Sequence, residues 1–95
     1  LKTFGETLRQ LRESKGLLLR QAAAELEIDT ALLSKIERGD RNLKREQVVQ
    51  VAAFYGIPEN ELLILWLSEK VDDLLTGEPL ALDALNRSLK NFKTR

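Results

Sequence analysis

Five bases fall within the eleven residues from Lys35 to Arg45, namely Lys35, Arg38, Arg41, Lys44 and Arg45, and only Glu37 and Asp40 oppose them. Guanidinium and ammonium groups at this density suit phosphate neutralisation, the salt-dependent part of binding to a nucleic-acid backbone. A solvated charged face has the same composition. The chain as a whole is balanced, with 15 bases and 15 acids, but the balance hides a polarity. Residues 1–56 hold ten bases (Lys2, Arg9, Arg12, Lys15, Arg20, Lys35, Arg38, Arg41, Lys44, Arg45) against eight acids, and residues 57–95 hold five against seven. Other chemistries are removed by inventory. With no Cys and no His, the chain has no disulfide, no thiol nucleophile, no imidazole base and few routes to a zinc site. Asp72 and Asp73 are adjacent carboxylates, and neighbours on a helix diverge by about 100°, so they are not expected to face one substrate together. No phosphate-binding glycine loop or nucleophile elbow occurs. The expectation is a protein that is not an enzyme and takes no metal or cofactor.

The elements that must carry these charges read as a row of helices. Ninety-five residues, 43% hydrophobic and 32% charged, describe one ordinary folded domain. The longest apolar run, Leu62 to Leu67, is far short of the ~20 residues of a membrane span, and no basic-then-apolar leader opens the chain. A cytoplasmic location with no membrane partner is the expectation. Glycines 5, 16, 39, 56 and 77 and prolines 58 and 79 sit at the edges of periodic segments. Phe4, Leu8 and Leu11 mark a first helix closed by Gly16. Leu19 to Glu27, with Ala22 to Ala24, makes a second that a neighbour can approach closely. Asp29 caps a third, with Leu32, Leu33 and Ile36 facing inward. Val48, Val51, Ala52 and Tyr55 line a fourth, from about Lys44. A fifth runs from Pro58 to Leu75 or Thr76, and a sixth from about Pro79 to Phe92. No stretch alternates as a strand would. The fold class is all-α.

Segments two and three are short and joined by Glu27-Ile28-Asp29, a connection that makes the helices cross steeply. The specific signal is the run GLLLRQAAAELEIDTALLSKIERGDRN, Gly16 to Asn42. Through Gly16-Leu17, Ala23, Leu26, Ile28, Leu33-Ser34 and Ile36-Glu37-Arg38-Gly39, it resembles the Cro and phage-repressor type of helix-turn-helix regulator, the XRE family. The preceding LRQLRESKG is similar to that family's first helix, LLILWL falls where its fifth sits, and the resemblance covers roughly residues 4–67. It implies a five-helix domain whose third helix enters the DNA major groove. Base contacts then fall on Thr30, Ala31, Ser34 and Lys35: Lys35 donating to guanine, Ser34 serving either base, Thr30 and Ala31 packing on a thymine methyl. Arg38, Arg41, Lys44 and Arg45 are placed at phosphates or the minor groove. The resemblance also pairs Arg12 with Glu37, structurally rather than on DNA.

The chain departs from that pattern in places. Leu18 and Leu19 stand where a Ser or Thr cap and a Gln are usual, which shifts a phosphate contact to Arg20 and Gln21. Glu27 replaces the turn glycine, at a cost of about 1 kcal/mol if its backbone is left-handed. Asp29 either caps the third helix or accepts from cytosine N4.

Residues 1–76 are expected to form the DNA-binding domain, with its helix-turn-helix at about 19–38, and residues 77–95 a C-terminal helix for dimerisation or packing. An apolar run such as Leu62–Leu67 covers a helix all round and must be buried on more than one side. Either the sixth helix folds back over it, or a second subunit does. The expected interface is Leu65, Trp66, Leu82, Leu85 and Leu89, with core packing as the other role for Trp66. The function expected is sequence-specific transcriptional regulation by a homodimer on a palindromic double-stranded operator, with half-sites about 34–36 Å apart. The alternatives are a restriction–modification controller, an antitoxin-type protein whose C-terminal helices hold a protein partner, and a domain that keeps the fold without binding DNA.

Overall fold

The computed structural model describes residues 2–95 and is all-α: α1 (Phe4–Ser14), α2 (Leu19–Leu26), α3 (Thr30–Glu37), α4 (Arg45–Tyr55), α5 (Glu59–Leu75) and α6 (Ala81–Lys93). Four of these helices stop in the same way. The residue after α2, Glu27, and the glycines at 16, 39 and 56 have left-handed backbones. At each, that residue's N–H and the next one's turn back onto the last carbonyls of the helix, as in Gly56 N–H to Ala53 and Ile57 N–H to Ala52. Three of the four use the residue type the conformation favours. Glu27, at φ 54°, does not.

The inward faces read from periodicity meet in one core. Phe4, Leu8, Ile36, Val48, Val51, Ala52, Tyr55, Leu62 and Leu63 are buried together, with Leu26 and Leu43. Ala22 and Ala23 are fully buried against Leu33, while Ala24 faces out. Two small side chains there let α2 lie close to α3. α5 packs on α4, and also reaches α1.

The circumference of α5 is divided rather than uniformly covered. Leu62 and Leu63 are buried, and Leu65 and Trp66 are half-buried against the same core. Ile64, Leu67, Val71 and Leu74 are exposed, at spacings of three, four and three. α6 does not fold back over them: it buries no residue, and Leu82, Leu85, Leu89 and Phe92 stand exposed at the same spacings. Gly77, with a left-handed backbone, turns the chain between α5 and α6. Among the described residues, no helix is long and apolar enough to cross a membrane.

Candidate nucleic-acid interface

α3 is held by its inner face so that its outer face is free. Leu33, Ile36 and Glu37 are buried, whereas Thr30, Ala31 and Lys35 are exposed and Ser34 is half-exposed. These four are the expected base readers, and they share the outer side of a short, well-anchored helix, from its first residue to its last turn. The Asp29 carboxylate accepts from the Ala31 N–H at 2.7 Å, so it serves as the cap of α3.

Two devices fix the position of α3 relative to α1. Arg12 and Glu37 form a fork-to-fork pair, Nε to Oε2 at 2.9 Å and Nη2 to Oε1 at 3.0 Å, with side chains 12% and 5% exposed. Arg12 Nη1 also donates to the Leu17 carbonyl at 2.9 Å, tying in the connection before α2. The hydrogen bonds it donates to Glu37 raise the guanidinium's pKa above its ordinary value, against the opposing effect of burial. The two residues paired by the resemblance are therefore in contact, joining α1 to the end of α3. Gly5 is the second device. A Cβ there would lie 2.5 Å from the carbonyl oxygens of both Ile36 and Glu37, so the end of α3 sits directly on the α1 backbone. In the sequence this glycine looks like punctuation at a helix edge; its role as a contact surface leaves no periodic trace.

The expected phosphate-binding cations surround this helix in sequence and are all exposed: Arg20, Arg38, Arg41, Lys44 and Arg45. Arg20 and Gln21 lie in the first turn of α2, where Gln21 Oε1 accepts from the Leu18 N–H at 2.8 Å. Gln21 thus supplies the reciprocal half of a capping box, while no side chain takes the place of the missing Ser or Thr, and its amide nitrogen stays free to donate. Gln47 does the same for α4, accepting from the Lys44 N–H at 2.8 Å. Arg38 ends α3 and lies 3.5 Å from the exposed Asp40 carboxylate, a contact weak enough for a phosphate to displace. Arg41 stands in the connection to α4, and Lys44 and Arg45 open that helix.

Of the five expected interface residues, Leu82, Leu85 and Leu89 are exposed, whereas Leu65 and Trp66 are largely engaged by their own chain. Trp66 Nε1–H donates to the Leu43 carbonyl at 3.1 Å, a contact that sequence reasoning missed. Also missed is Glu69, whose carboxylate accepts from the Phe4 N–H and so braces the start of α1 from α5. An open cleft of about 670 Å³ lies where α1, the end of α3 and α5 meet. Asp72 and Asp73 are both among the residues that line it. Among the described residues no cluster of acids could hold a metal ion.

Comparison with known proteins agrees with this geometry. Residues 3–63 match the model of a family described as a helix-turn-helix domain. Over 58 residues the chain is 40% identical to the HTH-type transcriptional regulator DdrOP3 of Deinococcus deserti, covering 61% of this chain and 45% of that protein. It is 35% identical over 60 residues to the control protein C.MunI of a Mycoplasma species, covering 62% and 81%, and 31% identical over 61 residues to the control protein C.BamHI of Bacillus amyloliquefaciens, covering 63% and 75%. The chain thus spans less than half the length of DdrOP3 and most of the length of the two control proteins. With the matched residues spanning α1 to the first turns of α5, the chain belongs to the helix-turn-helix domain family, in its Cro and phage-repressor (XRE) form.

Proposed function

We propose that the chain is a sequence-specific DNA-binding transcriptional regulator, with α3 in the major groove of a double-stranded operator. The observation that carries this is the outer face of α3, where Thr30, Ala31, Ser34 and Lys35 are left at least partly accessible by a helix anchored through Glu37 and Gly5. Arg20, Arg38, Arg41, Lys44 and Arg45 neutralise phosphates around it, and Lys35 donates to guanine. A helix held this firmly presents its side chains without a backbone ordering cost at the moment of binding. The reading places the chain in the cytoplasm with its DNA.

The working form is a two-fold homodimer on a palindromic site with half-sites about 34–36 Å apart. Two exposed stripes support this: Ile64, Leu67, Val71 and Leu74 on α5, and Leu82, Leu85, Leu89 and Phe92 on α6, both with a three-four-three spacing. Eight large apolar side chains on two successive helices form more open hydrophobic surface than a chain of this size ordinarily leaves to water. A restriction–modification controller is the specific form favoured by the two relatives named control proteins. An antitoxin-type role would put another protein on the same stripes, and sedimentation of the purified chain separates the two: a dimer supports self-association, a monomer that aggregates supports the missing partner.

The test of DNA binding is selection of bound duplexes from a random pool at two salt concentrations. A symmetric motif with the stated spacing is the expected result. Lys35→Ala should then cost about 1–3 kcal/mol at the selected site and relax one base position in each half. An equal loss on every sequence would assign Lys35 to phosphate instead.

A further inference from the structure

The connection from α3 to α4 presents Arg41 and Lys44; its far end is held locally, where Gln47 Oε1 accepts from the Lys44 N–H, but the stretch before it is held by little of its own. Among the described residues, no backbone–backbone hydrogen bond reaches Arg41, Asn42 or Leu43. The Leu43 side chain is buried in the core, and the Leu43 carbonyl accepts from the Trp66 indole N–H at 3.1 Å. Trp66 is in turn fixed. Its half-buried side chain packs against the core, and the Lys70 ammonium, one turn further along α5, lies 4.3 Å from the ring centroid. The polar anchor of residues 41–43 is therefore a side chain of α5, 23 residues away in sequence from Leu43.

We propose that Trp66 is a positioning residue for DNA binding: by holding the Leu43 carbonyl it sets the connection so that Arg41 and Lys44, two places before and one place after it, both reach the phosphate backbone. This rests on the DNA-binding reading. A basic side chain contributes to phosphate binding only if its root is in place, because a freely moving segment must be ordered when DNA arrives. The indole N–H supplies that order in advance. Its acceptor is the backbone itself, so the effect does not depend on a particular side chain in the connection.

Trp66→Phe keeps an aromatic ring in the core contact and removes only the donor. Binding to the selected duplex is expected to weaken by roughly five- to tenfold, the worth of one ordinary hydrogen bond. The slope of log affinity against log salt should become shallower by about one to two, as one or two phosphate contacts are lost. The base preference recovered from a random pool should not change. In a chain already carrying Arg41→Ala and Lys44→Ala, the same substitution should change affinity less than about twofold, since the groups it positions are gone. A variant that is merely less folded binds more weakly by the same factor at every salt concentration. An unchanged slope, or an equal loss in the Arg41→Ala/Lys44→Ala background, would therefore overturn the proposal. Should Trp66→Phe fail to fold, a semisynthetic chain with the benzothienyl analogue of Trp66, where sulfur replaces the N–H, keeps the bicyclic shape and gives the same readouts. A wild-type chain that binds no duplex would instead remove the DNA-binding reading, before any variant is compared.

Discussion

Replacing Arg12 by Met tests how much of the fold depends on the pair that joins α1 to α3. Glu37 has a side chain only 5% exposed, and both its oxygens are taken by Arg12, at 2.9 and 3.0 Å. Met fills much of the volume of the Arg stem but leaves a buried carboxylate with no cation and the Leu17 carbonyl with no guanidinium donor. Removing one partner of a buried ion pair costs about 3–5 kcal/mol, a large share of the roughly 5–15 kcal/mol that holds a domain together. With a urea dependence of about 2 kcal/mol per molar, the unfolding midpoint should fall by about 1.5–2.5 M. Fluorescence of Trp66, the chain's one tryptophan, follows the transition directly. Changing both residues, as Arg12→Met with Glu37→Leu, should cost clearly less than the single change, because no unpaired charge is left inside. A loss under about 1 kcal/mol for Arg12→Met, or a double variant no more stable than the single one, would refute the claim that the unpaired carboxylate is what destabilises.

Three further outcomes follow from backbone geometry and burial. Glu27→Gly should raise stability by about 1 kcal/mol in the same urea titration, since φ 54° costs a side-chain-bearing residue strain that glycine avoids; no gain would mean that the Glu27 side chain contributes a contact of its own. Gly5→Ala should destabilise by about 1–3 kcal/mol, because the new methyl meets two backbone carbonyls at 2.5 Å that cannot swing aside as a side chain would. Burial first, and then the nearby Glu37 carboxylate, pushes the Tyr55 hydroxyl up to about 12 from an ordinary 10. The folded state therefore holds this proton more tightly than the unfolded one. Its contribution is complete below pH 10 and is lost as pH rises through 12, and Tyr55→Phe should remove that part of the alkaline slope. Tyr55 is the only tyrosine, so ultraviolet absorbance of the phenolate reports its titration alone, in native buffer and in urea.

The helices were legible because their ends are written locally. Gly16, Gly39 and Gly56 adopt the left-handed stops their positions implied, and Asp29 caps α3 from the adjacent residue. The inner faces of α1, α3 and α4 follow from spacing because a helix buries one side. The Arg12–Glu37 pair was legible only through family resemblance, as 25 residues separate its partners and nothing local links them. Gly5, Trp66 and Glu69 were illegible in their roles for a related reason: each meets the backbone of a distant segment, and a carbonyl or N–H carries no residue type to read. The split of α5 into a packed face and an open stripe was also hidden, since Leu63 and Ile64 differ in burial but hardly in chemistry.

The central claim is that the outer face of α3 meets DNA, and amide chemical-shift mapping tests it most directly. A uniformly labelled chain is titrated with the duplex recovered by selection. The account predicts that the largest changes fall on Arg20 and Gln21, on Thr30 to Lys35, and on Arg38 to Arg45, with the outer stripe from Ile64 to Leu74 little affected. Changes concentrated on α5 and α6, with α3 unmoved at saturating DNA, would contradict it.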